Sequence, residues 1–241
     1  MDSIATNVGV LDKSVAILAA LADEGPLSLA GLVSATGLSR PTAHRLAAAL
    51  EAHRLVGRDE AGRYRLGLRL LGWAGAVRTE LGLVEAARPV LEALRDETGE
   101  SAQLFVREGD TRLCVAASER PAGLRDTVPI GAVLPIDRGS GGKVLLAFGP
   151  EGSASAAGRF PAVDSGELET IRRRGWAVSV AEREDGVCSV SAPVLDSGGQ
   201  VHAALGVSGP INRLGRQPQK LLAAPVVAAA RELARRAGLR H

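Results

Sequence analysis

The chain has 241 residues, a net charge of +2, 46% hydrophobic residues and only 2% aromatic ones. That length suits two compact domains or one large one, and the apolar fraction is enough for real cores. So few aromatics argue against a base-stacking platform for single-stranded nucleic acid. Cys114 and Cys188, the two cysteines, lack metal-ligand spacing and build no disulfide framework. No basic stretch followed by an apolar core opens the chain, and no apolar run approaches a membrane span. A cytoplasmic protein with no membrane contact is expected.

Residues 1–9 read as a loose tail. Asp12 is placed to cap a first helix whose apolar stripe is Val15, Leu18, Ala19 and Ala22, joined by Leu11 and Leu21. Gly25 and Pro26 stop it. Ser28 starts a second helix with Leu29, Leu32 and Val33 inward. It ends at Thr36-Gly37, where glycine suits a left-handed cap.

A third helix follows at Leu38–Leu50, LSRPTAHRLAAAL. Ser39 can cap its first turn, and Pro41 costs little there because first-turn N–H groups have no intrahelical acceptor. Ala43, Leu46, Ala47 and Leu50 share one stripe, while Pro41, His44, Arg45 and Ala48 face away with Arg40 on the flank. The tight helix–glycine–helix join is the pattern of a helix-turn-helix, with its second helix offered to the major groove of double-stranded DNA. Arg45 or Arg40 can fork onto a guanine edge, and Thr42 and Ser39 can hold phosphate. A plain helical hairpin with a solvated arginine face is the competing reading.

Leu55–Arg58 reads as a strand, Asp59–Gly62 as a turn and Arg63–Gly67 as a second strand. Three helices followed by a basic hairpin predict a winged helix-turn-helix, with Arg58, Arg63 and Arg65 on phosphate or in the minor groove. From Arg40 to Arg69 seven arginines stand against three acids, a local charge of +4 that suits a phosphate footprint.

Leu68 to about Leu81, with Leu68, Leu71 and Trp73 apolar, predicts a linker helix. Leu83–Thr98 is amphipathic. Ala102–Arg107 and Arg112–Ala117 alternate like the strands of a hairpin, and Asp126–Ile130 reads as a further short strand. Helices are expected at Gly141–Phe148 and Glu167–Arg174, then strands at Trp176–Val180, Val187–Leu195 and Val201–Ser208, and a closing helix at Pro218–Ala237. The order predicts an α+β fold: an antiparallel sheet flanked by helices. The division expected is a DNA-binding domain at 1–67, a linker helix at 68–82 and a sensor domain at 83–241.

Gly139-Ser140-Gly141-Gly142-Lys143 precedes a helix. Helix N-terminal N–H groups attract anions, and glycine permits close approach. A phosphate loop is excluded, because that pattern wants glycine at 137 and Ser or Thr at 144, where the chain has Asp137 and Val144. A carboxylate cradle or a plain helix-start turn remains. Cys188 reads as a buried structural thiol and His202 as a structural strand histidine. Glu182 and Asp185 read as a solvated turn rather than an acid–base pair. No nucleophile–base set or metal cluster is evident, so neither an enzyme nor a metal or cofactor site is expected.

Several motifs together carry a family resemblance. Gly37-Leu38-Ser39 runs into Thr42-Ala43-His44-Arg45-Leu46, followed by Tyr64-Arg65-Leu66-Gly67. Pro135-Ile136 leads to Gly142-Lys143-Val144-Leu145-Leu146-Ala147. Gly175-Trp176-Ala177, Glu182, Gly186-Val187, Ser191-Ala192-Pro193-Val194-Leu195-Asp196 and Val207-Ser208-Gly209-Pro210 complete the set. The chain resembles the IclR family of bacterial transcriptional regulators over nearly its whole length. The resemblance implies a winged helix-turn-helix joined by a linker helix to a GAF-like effector domain, acting as a homodimer or dimer of dimers on partly palindromic operators. It implies regulation, often repression, of catabolic genes by a small organic or aromatic acid. By motif position it puts Leu134, Ser140, Gly141, Ser179, Val187, Ser189, Gly206 and Ser208 around the effector. Family members often carry Asp at the position of Ser179 and some a polar residue at that of Gly206. Both departures imply a bulkier or less hydrogen-bonded effector. The alternatives are a regulator whose sensor has lost its ligand, or an enzyme with a regulatory DNA-binding front end.

Overall fold

A computed structural model describes residues 8–73, 82–150 and 152–239, in two units divided after residue 80. The first unit contains α1 (Gly9–Glu24), α2 (Leu29–Thr36), α3 (Arg40–Ala52), β1 (Val56–Arg58) and β2 (Tyr64–Leu66). Helix α1 begins at Gly9, so Asp12 lies inside the first turn, where its charge complements the helix dipole, and does not cap it. The expected stripe of α1 is also corrected. Ile17 and Leu21 are its buried side chains, whereas Leu11 and Val15 are exposed. Ile17 and Leu21 stand one turn apart and meet Leu32, Leu46 and Leu50 in a single core.

The start and stop of α2 follow its end residues. Ser28 Oγ accepts the Gly31 N–H at 3.1 Å, and Gly37 adopts φ 67° with its N–H on the Val33 carbonyl. Helix α3 buries Ala43, Leu46, Ala47 and Leu50. Ser39 precedes it with extended backbone, but its hydroxyl donates to Thr42 Oγ1 at 2.9 Å instead of capping a backbone N–H. Strands β1 and β2 pair antiparallel, Val56 opposite Leu66. Leu27 exchanges both backbone hydrogen bonds with Tyr64 and so ties the α1–α2 turn to the hairpin. After α3 the chain reverses through Arg54 at φ 61°, and Gly67 lies so close beneath it that a Cβ there would collide with the Arg54 carbonyl. Residues 69–73 are helical, and the remainder of the expected linker helix falls on 74–81, outside the described residues.

The second unit contains α4 (Gly82–Thr98), β3 (Ser101–Glu108), β4 (Thr111–Ser118), β5 (Val133–Pro135), α5 (Gly139–Ala147), α6 (Gly152–Arg159), α7 (Ser165–Arg174), β6 (Ala177–Val180), β7 (Val187–Leu195), β8 (Val201–Pro210), α8 (Ile211–Leu214) and α9 (Gln219–Arg236). Its six strands are antiparallel in the order β5-β4-β3-β8-β7-β6. Period-two alternation sends Leu104, Cys188, Val190, Leu205 and Val207 to one core with α4 and α9. Phe105, Cys114 and Ala204 go to a second core beneath α5 and α7. The expected strand at Asp126–Ile130 is irregular chain. Pro129 has no N–H to donate and Gly131 turns at φ 93°, so ladder pairing resumes only at Val133, opposite Leu113. The short helices α6 and α8 were not expected from periodicity.

Candidate effector cavity and nucleic-acid interface

On the first unit, Arg40, His44 and Arg45 stand exposed on the outer face of α3, and Thr42 is half-buried beside Ser39. Neither Arg40 nor Arg45 forms an ion pair with any described residue. The hairpin arginines differ. Arg58 stacks on Tyr64 at 4.2 Å, donates to the Tyr64 hydroxyl at 2.9 Å and pairs with Glu51 at 3.2 Å. Arg63 pairs with Asp59 at 2.8 Å, and Arg65 donates to the Arg58 carbonyl at 3.3 Å. The eight candidate residues therefore separate into an uncommitted helix face and a hairpin whose cations already have partners.

On the second unit, strand register builds a row of hydroxyls. Ser179 pairs opposite Ser189, and Ser189 opposite Ser208, so all three project from one face of β6, β7 and β8. One step along, Ser191 lies opposite Gly206, and Gly206 opposite Gln103. Helix α5 sets its first turn over these rows. Ser140 Oγ lies 2.7 Å from both Ser189 Oγ and Ser191 Oγ, and Ser208 Oγ donates to Gln103 Oε1 at 3.2 Å. A cavity lies between, and Leu134, Ser140, Gly141, Ser179, Val187, Ser189, Gly206 and Ser208 all line it. Its free volume is about 30 Å³, small beside the roughly 300–1,000 Å³ of ordinary ligand pockets. The absent side chain at Gly206 opens no room, because Ser191 Oγ occupies the place a Cβ would take.

Gln103, Phe105, Arg112, Asp126, Val128, Arg183 and Ser191 also line the cavity and were not singled out from the sequence. Arg112 and Ser191 were legible, since each sits at an inward position of its strand, Arg112 on the same face as Cys114. Arg112 is buried, lies 5.3 Å over the Phe105 ring and donates through one terminal nitrogen to the carbonyls of Pro135 and Arg138. Burial first, then repulsion from Arg183, pushes its guanidinium down to about 10. Arg183 pairs with the buried Asp126 at 2.6 Å.

Glu182 is not a solvated turn residue. One carboxylate oxygen accepts the Gly139 N–H at 3.2 Å, and the other accepts Lys143 Nζ at 2.6 Å. Lys143 reaches Glu167 of α7 as well, at 2.9 Å, so one buried ammonium fastens α5 to α7 and to the β6–β7 turn. Asp185 is exposed. His202 meets Asp196 at 3.0 Å on the surface. Cys188 is buried on the face opposite Val187 and Ser189, and burial pushes its thiol up to about 11 and that of Cys114 up to about 12. Among the described residues no group of three His, Cys, Asp or Glu side chains could hold a metal ion, and no helix is long and apolar enough to cross a membrane.

A helix-turn-helix with a basic hairpin, and a separate sheet unit with a polar internal cavity, define a DNA-binding regulator with a sensor-like second unit. Comparison with known proteins agrees. Residues 10–60 match the IclR helix-turn-helix domain, and residues 75–159 and 165–235 match the bacterial transcriptional regulator IclR C-terminal domain. The chain is 34% identical over 224 residues to the glycerol operon regulatory protein of Streptomyces griseus, covering 88% of each. The Thermotoga maritima IclR structure superposes with a TM-score of 0.77 at 23% identity, covering 96% of this chain and 100% of that one. An IclR homologue from Microbacterium hydrocarbonoxydans, complexed with 4-hydroxybenzoate, superposes with a TM-score of 0.72 at 22% identity, over 93% of this chain and 98% of that one. The chain belongs to the IclR family of bacterial transcriptional regulators, and it is a DNA-binding transcriptional regulator of that type.

Proposed function

We infer that the protein represses catabolic genes from a partly palindromic operator, and that a small organic or aromatic acid in the cavity releases or modulates it. The observation that carries this is the convergence of α5 and three strands on one polar, internal cavity. The 4-hydroxybenzoate bound by the Microbacterium homologue supports an acid effector, and the glycerol operon relative supports a catabolic target. Arg40, His44 and Arg45 read base edges, Ser39 and Thr42 hold phosphate, and the hairpin arginines Arg58, Arg63 and Arg65 line the backbone. The division is a DNA-binding domain at 1–67, a linker helix at 68–82 and an effector domain at 83–241, assembled as a homodimer or dimer of dimers. Effector binding shifts the population of domain arrangements, and with it the fit to two operator half-sites.

The test is binding of the full chain to a selected operator duplex, with and without added acids. Specific binding that steepens as salt falls, and that changes on adding one acid class, supports the reading. Operator binding indifferent to every acid overturns the effector half of it. That outcome would favour the second reading, a sensor without a ligand, to which the small free volume of the cavity lends support.

A further inference from the structure

A second concavity of the sheet unit lies apart from the effector cavity, and no residue lines both. Strand β7 runs on to Leu195, whereas β6 begins only at Ala177, opposite Ser191. The sheet edge is therefore notched between the end of α7 and one face of α9. Small side chains keep the notch open: Ala192 on β7, with Ala230 and Ala234 one turn apart on α9, are buried at its floor. Phe148, Leu195 and Val227 extend the apolar lining. The free volume is about 260 Å³, close to the lower end of the roughly 300–1,000 Å³ of ordinary ligand pockets. Four arginines complete the groove. Arg172, Arg173 and Arg231 are exposed at its rim, and Arg174 lies 3.9 Å over the Trp176 ring with its Nε donating to the Trp176 carbonyl at 2.6 Å. None of the four forms an ion pair with a described residue. Glu167 of α7 is held by Lys143, and Glu232 of α9 by Arg235 and Arg236. The end of α7 does not call for this much charge, since a helix C-terminus carries only about half a negative charge. Arg231 lies outside the last turn of α9 and has no helix end to offset.

We propose that this groove is a second ligand site, separate from the effector cavity, and that it takes a phosphate monoester with an apolar body, such as an aryl phosphate. The charge sets the anion. Four guanidiniums line the groove with no carboxylate among them, so a single carboxylate leaves most of the positive charge unanswered. A phosphate monoester carries about −1.5 to −2 at neutral pH and three acceptor oxygens, which several guanidinium forks share in paired hydrogen bonds. The lining sets the body. Apart from the arginines it consists of Phe, Leu, Val, Pro, Ala and Gly, with no hydroxyl or amide side chain. A sugar or a base edge buried there leaves its polar groups unpaired, which counts against a nucleotide. An aromatic or aliphatic body covers the floor and gains from leaving water. Arg174 is already ordered for the task by its ring stack and carbonyl bond, and burial holds its guanidinium below the ordinary value while Glu167 opposes this through space.

The experiment is calorimetric titration of the full chain with phenyl phosphate, inorganic phosphate, phenol and adenosine monophosphate. Phenyl phosphate should bind once per chain, roughly tenfold or more tighter than inorganic phosphate, which lacks the apolar body, and than phenol, which lacks the charge. Adenosine monophosphate should bind more weakly than phenyl phosphate. Arg173 and Arg231 are exposed, so the double variant Arg173→Gln, Arg231→Gln should keep the wild-type melting temperature and lose roughly tenfold or more in phenyl phosphate affinity. Equal binding of phenyl phosphate and inorganic phosphate overturns the proposal and leaves only a charged surface. Adenosine monophosphate binding as tightly as phenyl phosphate overturns the apolar ligand class. Phenyl phosphate affinity that survives in the double variant puts the molecule elsewhere and overturns the site, and silence from all four probes overturns it as well.

Discussion

The arginines of α3 and those of the cavity stand in opposite surroundings. Arg40 and Arg45 stand in solvent on a helix face and make no ion pair with a described residue. They cost the folded unit little, and a duplex can strip their water cheaply and add charge-assisted bonds. Arg112 is packed against an aromatic ring, two carbonyls and a helix start. Its desolvation has already been met by folding, so a ligand would find the guanidinium oriented and the surrounding water gone. The lesson is that charge alone does not mark a site. The side chain of the hairpin arginine Arg58 is 42% exposed, yet its donors are spent on Glu51, Gly62 and Tyr64.

The largest effects should come from the glycines beneath each site. A Cβ at Gly142 would overlap the Ile136 carbonyl oxygen and crowd Arg112, and a Cβ at Gly67 would overlap the Arg54 carbonyl. Neither carbonyl is a flexible side-chain end that could swing away. Gly142→Ala and Gly67→Ala should each cost about 3 kcal/mol or more. Urea denaturation, followed by probes in the separate units, should assign the first loss to the sensor unit and the second to the DNA-binding unit. A loss of under about 1 kcal/mol at either position would show that the backbone there yields.

Ser140→Leu comes next and separates the two sites most cleanly. Ser140 is buried, and its hydroxyl is shared between Ser189 and Ser191. Leucine there fills the cavity and overpacks the α5–sheet contact, at a cost of about 1–3 kcal/mol. Response to ligand should vanish while operator affinity below the melting range stays within twofold. A response that survives would move the effector site elsewhere.

Arg45→Ala tests the other side of the comparison. An exposed arginine that forks onto a guanine contributes about 1–3 kcal/mol of discrimination between bases. Specific operator affinity should fall at least tenfold, while the melting temperature is unchanged within error. Equal loss on specific and random duplexes would make Arg45 a phosphate contact.

The two regions also differ in how far they could be read from sequence. The α3 stripe, its glycine join and the hairpin follow from local periodicity and turn chemistry, and all formed at the expected places. In the sensor unit the serine rows were legible as well, because period-two alternation puts Ser179, Ser189 and Ser208 on one sheet face once pairing is given. What sequence could not supply was which nonlocal groups meet. Nothing near Asp126 in the chain announces Arg183, and Glu182 resembles any turn carboxylate until Gly139 and Lys143 arrive from 39 or more residues away. Arg112 was within reach of the alternation rule, but it sits beside the hairpin turn with another arginine, Arg107, as its direct cross-strand partner. Such a pair reads as a solvated hairpin end. The Asp126–Ile130 segment misled for a different reason: its residues favour extended chain, but Pro129 and Gly131 deny it a ladder.

The smallest effect expected on function is at the thiols, which test whether burial governs chemistry in the sensor unit. Cys114 and Cys188 are both buried, and desolvation raises their thiols from the ordinary value of 9.0 to about 12 and about 11. The thiolate is the reactive form, so at pH 8 the native chain should react with a thiol reagent far more slowly than the urea-unfolded chain, which should titrate two. The sign of the pH effect follows. Between pH 9 and the raised values the folded chain keeps protons that the unfolded chain releases, so these groups stabilise fully below pH 9 and progressively less above it. Replacing both cysteines by alanine should flatten the decline in stability between pH 9 and 11, while leaving operator affinity unchanged. Rapid labelling of two thiols in the native chain at pH 8 would show instead that the sheet opens locally.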